Sequence, residues 1–96
     1  MLKTPPVSAQ EAEVIALKAL AFLASDSERL SRFLEITGIA PQTLRQSAAE
    51  PSFLAGVLDH LRADQSLLFM FAESERLPPD RVDRARQLLP GAASDF

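Results

Sequence analysis

His60 is the only imidazole in the chain, and Asp64 follows it by four residues, a spacing that puts both side chains on one helix face. Such a pair is what a general base, or half of a metal site, requires. A metal site also needs further ligands at set spacings, and no HExxH or HxxxH motif and no cysteine is present. Alone, His60 reads as a partly exposed histidine near a helix C-terminus, where its positive form suits the helix dipole. Serine hydrolase chemistry needs an activated serine and an oxyanion hole, and neither GxSxG nor SxxK occurs. Phosphate cradles need glycine-rich loops, and the three glycines, Gly38, Gly56 and Gly91, lie far apart. The carboxylate pairs Glu11 with Glu13 and Glu73 with Glu75 are two residues apart, so each pair splits between two sides of a helix. The expectation is a protein that is not an enzyme, with no cofactor and no metal.

Two other patterns concern contact with a macromolecule. Leu67 to Ala72 is a run of six consecutive apolar residues, which covers every face of a helix and suggests a central core helix. The alternative is that Phe69 and Met70, which lie off the Leu68–Phe71 seam, form an exposed patch for a partner or a second copy, rimmed by Arg32 and Arg45. Leu30 to Ala49 has the layout of a helix-turn-helix, in which Gln42, Thr43 and Arg45 would approach base edges. Against it, the close-packing position of the first helix holds Leu34, and the reading helix carries one basic residue and ends against Glu50 and Pro51. An ordinary helical corner is the better reading.

The bulk properties agree with a folded interaction domain. The chain of 96 residues suits one domain, and 47% hydrophobic with 24% charged residues is a globular profile. The net charge of −3, from 10 basic and 13 acidic residues, builds in no general attraction to nucleic acid or anionic lipid. The longest apolar stretches fall short of the ~20 residues of a membrane span, and no export signal opens the chain. A cytoplasmic location is the expectation.

The elements that must position these residues are all helices. Ser8 and Glu11 form a capping box for a helix from about Gln10 to Ala24. Ser25-Asp26-Ser27 ends it and caps a second helix, Glu28 to Thr37, which Gly38 closes. Pro41 and Pro51 each suit a first helical turn, opening a third helix to Ala49 and a fourth that buries Phe53, Leu54, Val57, Leu58 and Leu61. Asp64 caps a fifth helix, Gln65 to Glu75. Pro79 opens a sixth to Leu89, with Val82, Ala85 and Leu89 inward and the pairs Asp80–Arg84 and Asp83–Arg86 on its wet face. Residues 1–7 and 90–96 read as flexible tails around a single helical domain, 8–89.

A shift of 38 residues aligns the two halves, about 13–50 and 51–88. Leu20 meets Leu58, Leu23 meets Leu61, Asp26 meets Asp64, Leu30 meets Leu68, Phe33 meets Phe71 and Pro41 meets Pro79. Core leucines, a core Phe, a capping Asp and a helix-opening Pro thus coincide. The expected architecture is an all-α compact bundle of about six short helices, two copies of a three-helix unit packed with pseudo-two-fold symmetry, because one such unit has too little core to stand alone.

Specific strings also match a known family. Ala19 to Ala24, Asp26, Arg29-Leu30, Arg32-Phe33-Leu34, Thr37-Gly38, Pro41, Leu44-Arg45, Phe53-Leu54-Ala55 and Val57-Leu58-Asp59 resemble the domain-of-unknown-function family 3572, small alphaproteobacterial proteins. The likeness runs from about Leu17 to Leu89. It implies a helical fold in the bacterial cytoplasm and hands over no catalytic residue. The reading that follows is a non-enzymatic protein-interaction or regulatory adaptor, contacting another protein or itself, as a homodimer, through the fifth helix. The alternatives are a DNA-binding regulator using residues 30–49 and a small apolar-ligand carrier with its cavity between the repeats.

Overall fold

The Ser8 hydroxyl accepts a hydrogen bond from the Glu11 amide at 3.1 Å, which starts α1, Ala9–Ala24. The computed structural model describes residues 8–90, so the tails expected at 1–7 and 90–96 lie outside the described residues, Pro90 apart. Asp26 caps α2, Ser27–Thr37, by accepting from the amides of Glu28 at 2.9 Å and Arg29 at 3.2 Å. Gly38 ends it at φ 76°, and its amide donates to the Leu34 carbonyl. A 3-10 turn, Pro41–Thr43, leads into α3, Leu44–Ser47. Then come α4, Pro51–Arg62; α5, Gln65–Ser74, capped by Asp64; and α6, Pro79–Gln87. The described residues contain no strand, and none of their helices is long and apolar enough to cross a membrane.

The centre of the bundle is α1. It buries Ala12, Ala16 and Ala19 completely, together with Ile15, Leu20 and Leu23. The alanines let α4 and α6 lie close against it, and α2 folds back on it after the Ser25–Asp26 corner. Helix α5 closes the far side against α4 and α6 and is not the central helix that its apolar run suggested. Leu67, Leu68, Phe71 and Ala72 face inward there, while Phe69 and Met70 remain about half exposed. The phenylalanines stack across the bundle: Phe22 lies 5.5 Å from Phe71, and Phe33 lies 5.9 Å from Phe53 in an edge contact.

The aligned halves share more than residue types. Asp26 and Asp64 both act as N-caps, Phe33 and Phe71 are both fully buried, and Leu23 and Leu61 likewise. Arg76, the counterpart of Gly38, also adopts a positive φ, 57°. An L side chain resists that conformation, so Arg76→Gly should raise stability by about 0.5–1 kcal/mol, read from the denaturation midpoint.

The third elements of the two halves differ. A helix was expected from Pro41 to Ala49, but Pro51 forces Glu50 into an extended conformation, φ −101° and ψ 125°, and only one α-turn survives. This short piece has no buried residue, whereas α6 packs across both α1 and α4. Of the ion pairs expected within α6, Asp83–Arg86 is replaced by pairs to α4, while Arg84 donates to Gln87 at 3.4 Å. Asp83 binds Arg62 at 2.8 Å, and Arg86, placed on the wet face by its spacing, is buried and donates to Asp59 at 2.6 Å. An inter-helix carboxylate at that distance holds the guanidinium more firmly than a solvated neighbour on its own helix.

Candidate functional site

Helix α2 meets the rest of the bundle along one side only. Phe33 is its single buried residue, wedged edge-on between Phe53 and the His60 ring, whose centroid lies 5.1 Å away. The opposite side of α2 stands clear, and an open groove of about 1240 Å³ runs between it, α4 and the start of α5. Arg32 and Ile36 line the α2 wall, Gly56 and His60 the α4 floor, and Leu67 and Met70 the α5 side. Arg29 ties the two walls together. Its guanidinium sits 4.7 Å from the centre of the Phe22 ring, and it donates to the Met70 sulfur at 3.7 Å.

His60 has a different role from the one its sequence position suggests. Burial against Phe33 disfavours its charged form, and although Asp64 partly offsets this, Arg32 adds to it, so the pKa lies below 6.5. Burial outweighs the pull of the helix terminus toward the charged form. The unfolded chain therefore takes up the proton more readily than the folded one. The stability His60 contributes is complete above pH 6.5 and is lost as pH falls through the lower folded-state value. Thermal midpoints measured from pH 7.5 down to pH 5 should show this loss in the wild type and a flatter profile in His60→Gln. Asp64 is engaged as the α5 cap, accepting from Leu67 at 3.2 Å. No group of three or more His, Asp or Glu side chains that could hold a metal forms among the described residues.

The residues singled out from the sequence are only partly brought together. Met70 and Arg32 share the groove. Phe69 lies around the edge of α5, over a shallow depression with Leu77 and Pro79. Arg45 is exposed on α3 and lines neither surface. Gln42 and Thr43 sit in the 3-10 turn, where the Thr43 hydroxyl donates to the Ala40 carbonyl at 3.0 Å. Residues 41–47, the would-be reading helix, form one 3-10 turn followed by a single α-turn. The space between the halves is an open groove with charged residues at its edges.

Two groove residues escaped the sequence reading, Gly56 and Ile36. Ile36 is the most exposed large apolar residue described, at 66%. Gly56 lies off the apolar stripe of α4, on its groove side, and a Cβ placed there would meet nothing within 4 Å. A glycine in the middle of an apolar helical pattern was the available signal. Gly56→Ala should therefore stabilise the free chain by about 0.5–1 kcal/mol, a gain readable as a higher thermal midpoint.

The family model described as "Protein of unknown function (DUF3572)" matches residues 9–92. The chain belongs to this family. The match spans all six helices, so the groove and its walls lie wholly within the family's domain. No curated protein and no solved structure matches the chain.

Proposed function

We propose that this domain is a non-enzymatic protein-docking module that engages its partner across the groove between α2, α4 and α5. The observation that carries the reading is the bare floor at Gly56 beside exposed Ile36, neither of which the fold itself requires in that form, with Met70 on the far wall. Glycine at that point weakens α4 without relieving any clash, which makes sense where an incoming backbone must come close. Exposed apolar residues beside it supply contact area, and charged residues rim them, the arrangement of a small polar-edged interface.

The test is site-specific photo-crosslinking in the native cell, with the reactive residue placed at position 36 on the groove wall or at position 45 on α3. A discrete protein adduct from position 36, absent from position 45, is the expected result. No adduct from position 36, or the same adduct from both, overturns the reading.

A further inference from the structure

We infer that the first occupant of this groove is a second copy of the chain, paired through α2 about a two-fold axis. The inference rests on the docking reading and names its partner. Ser31, Arg32, Glu35 and Ile36 are all exposed, and at 100° per residue they share one face of α2, with Ile36 on the flank nearest Phe33. Among the described residues neither Arg32 nor Glu35 has an ion-pair or hydrogen-bonding partner in its own chain.

The order of these four residues is self-complementary. Let two α2 helices run antiparallel with the axis midway between residues 33 and 34. Arg32 of each copy then faces Glu35 of the other across the seam, while on the two flanks Ile36 meets Ile36 and Ser31 meets Ser31. Opposite charges meet twice and the two exposed isoleucines meet along one flank, as an isologous contact allows. Parallel alignment in register would set Arg32 against Arg32 and Glu35 against Glu35. Arg32 and Ile36 also line the groove wall, so a helix lying along this face covers the groove, and the bare Gly56 floor leaves room for its backbone.

Equilibrium sedimentation of the purified full chain tests this. The wild type should form a dimer in the micromolar to sub-millimolar range that suits a small transient interface, weakening as salt rises. Arg32→Glu alone places Glu against Glu35, and Glu35→Arg alone places Arg against Arg32. Each should weaken self-association about tenfold or more. The reciprocal geometry makes a sharper demand on a mixture of the two single variants, since every contact across the mixed pair is again between opposite charges. An equimolar mixture should therefore associate as the wild type does, and so should the double variant R32E/E35R. All substitutions are at exposed positions, and unchanged helical circular dichroism checks the fold.

A wild-type chain that stays monomeric at about 1 mM overturns the inference. So does a mixture no more associated than its components. The two proposals fail separately. A monomeric chain whose position 36 crosslinks to a different protein leaves the groove as a docking site and removes only self-pairing, whereas silence at position 36 removes the groove.

Discussion

Phe33→Ala should lower the unfolding free energy by about 3–5 kcal/mol, the range for removing a buried aromatic ring, and release α2 from the bundle. The ring is the one fully buried side chain of α2, and it packs against Phe53 and His60 of α4. Against a typical total of about 5–15 kcal/mol, such a loss is a large part of the whole. Phe71→Ala makes the informative comparison. Phe71 is equally buried, but α5 keeps Leu67, Leu68 and Ala72 inside. Both variants should show similar drops in a denaturant titration. Only Phe33→Ala should also show fast amide exchange confined to α2 under native conditions. Protected α2 amides in that variant would mean that contacts other than Phe33 hold the helix.

Asp59→Ala should cost about 1–3 kcal/mol by leaving the Arg86 guanidinium buried without its charged partner. The Arg86 side chain is only 10% exposed, and its Nε donates to Asp59 at 2.6 Å. Arg86→Met should be milder, because the carboxylate left behind is 39% exposed and lies 3.5 Å from Arg62. A double-mutant cycle over Asp59 and Arg86 should return a coupling of about 1 kcal/mol or more. Removing the more exposed Arg62–Asp83 contact, with side chains 43% and 47% exposed, should change stability by at most about 1 kcal/mol. A cycle in which the two pairs couple equally would contradict the burial argument.

These contacts show where local reading stops. The caps were legible because a cap is local: Ser8 and Asp26 reach amides two or three residues on, and Gly38 answers to its own φ. The buried set on α4 followed from spacing, since Leu54, Val57, Leu58 and Leu61 fall on one side of any helix that contains them. Arg86 was misplaced because its carboxylate comes from a residue 27 positions earlier, and spacing within α6 sees only Asp83. The α5 run was misjudged for a related reason. Six apolar residues in a row say nothing about how many neighbours will arrive, and α5 has an outer side at Phe69 and Met70.

The candidate site was less legible than the fold. Arg32 and Met70 were noticed, but their meeting across one groove depends on α2 and α5 lying side by side. Gly56 carries meaning only once its surroundings are seen to be empty. The 38-residue correspondence extends to the matching positive φ at Gly38 and Arg76, a detail of turn geometry shared by two very different residues.

By itself the sequence determined that this chain is helical, where its helices begin, and which side of most of them is apolar, because those properties depend on residues within one or two turns of each other. Only the tertiary structure decided that α1 sits at the centre, that His60 packs against Phe33, and that one face of α2 is left standing beside an open groove. Those outcomes depend on which distant surfaces exclude water from one another, and burial is a property of the packed chain as a whole.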